Sequence, residues 1–384
     1  MSKVLVDITR LLDRLLQGRL PTGVDRVGLE YVRHFATSAR AVVRFGGRSL
    51  VLSAQDSNDL FVHLLVGRPG LRGLVWRLVG KELVSWRSHA DIAGQILFNT
   101  GHTGLDNPRY PVQLRRMGVR PVFFIHDLIP NTHPEYCRAG ERDRHAQRMA
   151  TALRCAKGLI TNSRATLDDL RYFGTARGYA IPPAAVALLA AATMPAPEPD
   201  RPLASPYFVM LGTIEARKNH LMILQIWRRL SERMGDAAPR LVIIGQRGWE
   251  CENVIDLLER CEALQGLVTE LNGASDATVS TYLKHAQALL FPSFAEGYGM
   301  PLVEALQAGT PVIASDLIAF REISADIPDY LDSLDALAWM SRICAYASPA
   351  SKPRAAQQAR SRGFVAPTWA GHFAVVDALL ERLG

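Results

Sequence analysis

Apolar residues along this chain gather in short unbroken runs more often than in strict alternation. Val4–Ile8, Ile96–Phe98, Val122–Ile125, Leu159–Thr161, Tyr207–Leu211, Leu241–Ile244, Ala288–Phe291 and Val312–Ala314 each run into turn or polar residues. Continuous runs of this kind fit parallel strands covered on both faces. The stretches between them have helical period. Val24, Val27, Tyr31, Val32 and Phe35 share one face after Thr22-Gly23. Ala165, Leu167, Leu170 and Phe173 follow Asn162-Ser163, with Ser163 expected as N-cap and Gly174 as the C′ residue. Repeated strand–helix alternation predicts an α/β chain of doubly wound sheets.

The clearest break is Met194 to Pro202, with four prolines in nine residues, a stiff linker rather than an element. A strand reopens at Tyr207. The expected division is therefore residues 1–200 and 201–368, with a final helix over Trp369 to Leu383 carrying Phe373, Val376, Leu379 and Leu380. The uncharged run Gly178 to Pro197 is Ala-rich and holds Pro182-Pro183. It reads as a buried strand with turns, not a membrane span.

Composition narrows the classes. A chain of 384 residues with 48% hydrophobic and 21% charged content suits two globular domains. The net charge of +7 is unevenly placed. Residues 1–200 hold 27 Lys and Arg against 17 Asp and Glu (+10), and the remainder 17 against 20 (−3). An asymmetric basic half implies an anionic partner and says nothing about fold. Five cysteines without a CxxC indicate neither a disulfide framework nor a zinc site. Met1-Ser2-Lys3 leads straight into a strand, unlike a signal peptide, so a cytoplasmic setting is expected. The basic half has no nucleic-acid recognition motif.

Candidate chemistry lies at strand ends, where open parallel sheets bind ligands. Tyr207–Leu211 runs into Gly212 and then Arg217-Lys218, charges suited to a diphosphate or to solvent. Leu241–Ile244 runs into Gly245-Gln246-Arg247-Gly248, a nucleotide-lining turn or an ordinary one. Ala288–Phe291 runs into Glu296-Gly297-Tyr298-Gly299-Met300-Pro301, with Glu304 in the helix that follows. Pro301 suits a first helical turn, and the backbone N–H groups ahead of it make an anion site. A fully helical path from Glu296 to Glu304 would span roughly 12 Å, more than the about 5–9.5 Å of a glycosidase pair.

The segment from Phe291 through Glu304 to Asp316 resembles the Glu-x7-Glu signature of retaining glycosyltransferase family 4. Gly212 to Asn219 resembles the family's phosphate segment, with Thr213 in place of the commoner Arg. Thr22-Gly23-Val24-Asp25-Arg26-Val27 resembles its glycine loop, and His126-Asp127-Leu128 resembles the His-Asp-Leu of its mannosyltransferase-like members. The resemblance implies the GT-B fold, two Rossmann-like domains facing a cleft, with the last helix returning to the first domain. It implies a metal-independent, retaining transfer of a hexose, mannose or a related deoxyhexose, from a nucleotide sugar with no further cofactor. A GDP-sugar is the favoured donor, and a surface polysaccharide or lipid-linked glycan the acceptor.

On that resemblance Glu296 holds donor-sugar hydroxyls, Glu304 the ribose and His126 the sugar. Lys218, with Arg217, stabilises the leaving diphosphate together with the donors near Gly299. Gly23, Gly212, Gly245, Arg247, Gly297, Tyr298, Met300 and Pro301 line the donor. His102 and Asp127 are acceptor-side candidates, His102 equally a turn residue. Arg68, Arg72, Arg77, Lys81 and Arg87, interleaved with Trp76 and Trp86, are either a solvated helix face or a contact with an anionic inner-membrane surface. Two other readings stay open: a nucleotide-sugar epimerase or hydrolase on this scaffold, and a non-catalytic nucleotide-sugar-binding protein.

Overall fold

The computed structural model describes residues 4–19, 21–67, 69–84 and 91–384. The chain divides into two compact units. The first comprises Met1–Asn131, Gly140–Leu189 and Trp369–Gly384, and the second Thr132–Ala139 and Ala190–Thr368. No helix or strand interrupts residues 187–206, which include the proline-rich stretch.

The first unit holds strands β1 (Val4–Asp7), β2 (Ala39–Phe45), β3 (Arg48–Val51), β4 (Ile96–Asn99), β5 (Arg120–Ile125), β6 (Gly158–Thr161) and β7 (Ala184–Val186). Their order is β3-β2-β1-β4-β5-β6-β7. All pairs are parallel except β2 with β3, so the sheet departs from the wholly parallel expectation at one edge. Strand period sorts the side chains. Leu5, Val42, Leu97, Phe123 and Leu159 face one core with the helices Tyr110–Met117, Glu141–Cys155 and Arg164–Thr175. Phe98 and Phe124 point the other way, onto Tyr31 of the helix Gly23–Phe35, and Tyr31 packs on Phe373 of the last helix, Trp369–Leu383.

The second unit holds β8 (Tyr207–Leu211), β9 (Arg240–Ile244), β10 (Val268–Leu271), β11 (Leu289–Phe291), β12 (Val312–Ser315) and β13 (Asp329–Leu331), in the all-parallel order β10-β9-β8-β11-β12-β13. Phe208 and Met210 join Trp227 and Trp339 in one core, while Tyr207 and Val209 join Leu302 and Phe320 in the other. Helices thus cover both faces, which is why these strands read as unbroken apolar runs.

One local expectation needs correction. Ser163 does cap its helix, accepting from the Thr166 N–H at 3.0 Å, but Gly174 is not the C′ residue. It lies inside the last turn, where a Cβ would stand 2.7 Å from Ile181, so it serves close packing. The run from Gly178 yields only the short strand β7, followed by buried Ala187, Leu189, Ala190 and Ala191.

Candidate active site

In the second unit three loops leave the carboxyl ends of β8, β9 and β11. The first and second are in backbone contact. An isolated bridge joins Ile214 to Arg247, and the Gly212 N–H donates to Ile244 O at 2.9 Å. A Cβ on Gly245 would lie 1.9 Å from the Gly212 carbonyl oxygen, so only glycine allows this approach. The first loop then forms the turn Ala216–Lys218 and enters the helix His220–Met234.

The third loop carries Glu296, which precedes the helix Met300–Gln307. Gly299 has φ +125 and packs under Phe320, where a Cβ would sit 2.8 Å from the ring. Pro301 occupies the first turn of that helix, and Glu304 and Tyr298 are buried.

These loops bring charged side chains together. Glu296 Oε1 accepts from Lys218 Nζ at 2.5 Å, from Arg217 Nη1 at 2.7 Å and from Ser293 Oγ at 2.9 Å. Arg217 also pairs with buried Glu215 and donates to the Ala295 carbonyl at 2.6 Å. All three of these donors meet Glu296 at the same oxygen, Oε1. Burial alone would raise the Glu296 pKa, but Arg217 and Lys218 beside it hold the carboxyl down to about 2. Burial lowers the Lys218 pKa, with Glu296 opposing that shift and Arg217 adding to it. Lys218 Nζ also lies 4.8 Å over the Phe291 ring.

Sequence reasoning placed Arg217, Lys218 and Glu296 in one site, and the structure brings them together; it missed that the cations pair with the glutamate. Arg247 is not brought to them. Its guanidinium is taken by Glu259 and, in a two-pronged contact, by Glu270 on β10. Ser293, the third donor to Glu296, carried no sequence signal beyond its place in the motif.

The first unit gathers its own strand-end residues. His126, after β5, is buried, and its Nε2–H donates to the Thr100 carbonyl at 2.7 Å. His102 Nε2–H donates to the Phe124 carbonyl at 2.8 Å from a residue with φ +59. The two rings are 5.5 Å apart, and His145 lies 6.1 Å from His102. Burial pushes all three imidazoles down, His126 to about 4, so each is neutral near pH 7. With Nε2 protonated, Nδ1 of His126 is an acceptor. Asn162 Nδ2 donates to the His126 carbonyl at 2.8 Å, and Asp127 caps the next turn through the Ile129 N–H at 3.1 Å.

Gly23 opens the helix Gly23–Phe35 with open space around it. Asp25, two residues on, takes Arg10 at 2.9 Å, Arg14 at 2.7 Å and the Thr22 N–H at 2.7 Å. Thr-x-x-Asp spacing was the available signal for that cap.

On the surface of this unit Trp76 and Phe45 pack edge to face at 5.6 Å and are both exposed, beside exposed Arg72, Arg77 and Arg48. Lys81 pairs with Asp56. Arg68, Trp86 and Arg87 lie outside the described residues. Among the described residues no helix is long and apolar enough to cross a membrane, and no group of His, Cys, Asp or Glu could hold a metal ion.

Residues 197–327 match the family model for glycosyl transferases group 1. A serotype-specific mannosyltransferase WbdA of Escherichia coli is 29% identical over 239 residues, 56% of this chain and 28% of that protein. An O-antigen chain mannosyltransferase B, also of Escherichia coli, is 31% identical over 135 residues, 34% of this chain and 35% of that one. The chain thus spans about a third or less of the length of these relatives. Among solved structures, Anabaena Alr3699/HepE in complex with UDP and glucose aligns over 100% of this chain and 99% of its own, with TM-score 0.65 and 14% identity. A sucrose-phosphate synthase from Thermosynechococcus elongatus aligns equally fully, with TM-score 0.64 and 14% identity. Residues 197–327 are thus similar to the group 1 glycosyltransferases, and the two α/β units are those of the GT-B fold.

Proposed function

We propose that this protein is a retaining glycosyltransferase that moves a hexose from a nucleotide-diphosphate sugar to a glycan acceptor without a metal ion. One observation carries the reading: a loop carboxylate, Glu296, only 10% exposed and held by Lys218 and Arg217 at the carboxyl ends of β8 and β11. Transfer breaks the bond between sugar C1 and the diphosphate oxygen, and negative charge grows on the leaving group. Arg217, Lys218 and the backbone donors ahead of the helix Met300–Gln307 are the groups that stabilise it, as preorganised charges do in a site closed to water. Glu296 then accepts from donor-sugar hydroxyls, and Glu304 serves the ribose. His126, neutral at pH 7, offers Nδ1 as acceptor to a sugar hydroxyl. Attack on the face the diphosphate leaves retains the anomeric configuration.

Mannose or a related deoxyhexose from a GDP donor is the specific choice, and the mannosyltransferase names of the relatives support mannose. A surface-polysaccharide or lipid-linked acceptor fits the same relatives. The exposed Phe45–Trp76 pair with its three arginines suits contact with an anionic membrane surface. Calorimetry with GDP-, UDP- and dTDP-sugars tests the donor, followed by assignment of the product's anomeric proton. Binding of none of the three removes the donor reading. Free sugar or an isomerised donor as sole product would make the protein a hydrolase or epimerase.

A further inference from the structure

One short segment sits in the second unit although the chain on either side of it belongs to the first. Thr132–Ala139 follows the His126 loop directly and lies against the loops that build the Glu296 site. Pro134–Tyr136 forms a tight 3-10 turn closed by the Tyr136 N–H to His133 O at 3.2 Å and the Cys137 N–H to Pro134 O at 3.1 Å. The turn presents Tyr136 flat against Phe294, with ring centroids 5.2 Å apart and planes 3° from parallel. His133 stacks on the Tyr136 ring at 6.2 Å. Two residues further along, the Arg138 guanidinium lies 5.2 Å from the Trp249 ring, on the loop after β9.

Phe294 is two residues before Glu296, and its N–H donates to the Arg217 carbonyl at 2.9 Å. The segment therefore grips the loops after β9 and β11 directly, and reaches the loop after β8 through Phe294. A loop between β11 and the next helix has no ladder hydrogen bonds to fix it. Yet Glu296 must hold three donors on one oxygen. We propose that Tyr136 is a positioning residue: its stack on Phe294 fixes the Glu296 loop so that the carboxylate is preorganised for the donor sugar, with Arg138 steadying the segment on Trp249. This deepens the transferase reading and rests on it for the role of Glu296.

The test uses the full chain with Tyr136→Phe, Tyr136→Leu and Tyr136→Ala. Hydrogen exchange without ligand reads residues 292–299. We expect Tyr136→Phe to match wild type and the other two to exchange about three- to tenfold faster there, the range of an aromatic pair, with β8 and β9 unchanged. With GDP-mannose, kcat/KM should fall by a similar factor in the Leu and Ala variants and recover in Phe, while the Kd for GDP alone moves less than twofold. Unchanged exchange in Tyr136→Ala overturns the inference. So does faster exchange throughout the second unit with GDP affinity falling in step, which would mark a docking contact only. If the wild type turns over no nucleotide sugar, the transferase reading fails on its own, and the exchange arm still decides whether Tyr136 orders the loop.

Discussion

Replacing Glu296 by Gln removes one charge from a cluster of two cations and two anions, Arg217, Lys218, Glu215 and Glu296. The Glu296 side chain is 10% exposed and its carboxyl is held at about 2 instead of 4.5. A depression of that size corresponds to about 3 kcal/mol of stability at pH 7. Because the folded pKa is depressed, this contribution is complete above about 4.5 and lost as pH falls toward 2. Glu296→Gln should therefore lower the unfolding free energy by about 3 kcal/mol at pH 7, in line with breaking one side of a buried pair. The gap to wild type should close as the pH is lowered toward 2.

The same variant leaves a surplus positive charge where the diphosphate is placed. One unit charge about 6 Å from a phosphate, at an effective dielectric near 20, is worth about 3 kcal/mol, and solvent at the loop reduces it. GDP and UDP alone should then bind Glu296→Gln about tenfold more tightly than wild type, with a steeper salt dependence, while sugar transfer falls at least about a hundredfold. Urea titrations at several pH values and calorimetry at two ionic strengths measure these quantities. Weaker nucleotide binding by the variant would refute the assignment of Arg217 and Lys218 to the diphosphate. Stability within about 0.5 kcal/mol of wild type at pH 7 would refute the ion-pair argument.

Three further outcomes follow from the geometry. Gly245→Ala places a methyl against the Gly212 carbonyl, so the β8 and β9 loops must separate; thermal melts should show a loss of more than about 2 kcal/mol and calorimetry a loss of nucleotide affinity. Lys218→Met should cut kcat by about 10²–10³, measured by product formation at saturating donor. His372, pushed by burial to about 4, accepts from the Tyr31 hydroxyl and donates to the Leu188 carbonyl. Its neutral form is the folded one, so its stability contribution is full above about 6.5 and falls as pH drops toward 4, about 2 kcal/mol by pH 5. His372→Gln should flatten that part of the stability–pH curve. Asp7, raised by burial to about 6, acts oppositely, regaining stability as pH falls through that value.

The strands legible in the sequence are those at the middle of each sheet. The eight apolar runs correspond to β1, β4, β5 and β6 in one unit and β8, β9, β11 and β12 in the other, each set contiguous in the strand order. β7, β10 and β13 are short edge strands and only partly buried. β2 and β3 are interrupted by Arg40, Arg44 and Arg48, and β3 closes the other edge antiparallel. A strand covered on one face, or paired on one side, does not need the unbroken apolar run by which the others were found. Gly174 misled for a related reason: a glycine near a helix end satisfies both the C′ pattern and a demand for close packing, and only the position of Ile181 separates them.

The site was legible in its residue types and not in its pairing. Arg217 and Lys218 looked like charge held ready for a phosphate, yet Glu215 and Glu296 balance both. Net charge was thus a poor guide to the donor site, because the cluster there sums to nothing and the unit holding it is acidic. A neutral cluster changes what donor binding must do. Under the proposed function, an arriving diphosphate would have to take Lys218 and Arg217 from Glu296, and the sugar that comes with it would have to give Glu296 hydroxyls in return. A nucleoside diphosphate without sugar supplies only the first half of that exchange. The proposed function would then build discrimination for the intact donor over its product into the partner exchange itself, which a permanently unpaired pair of cations would not provide.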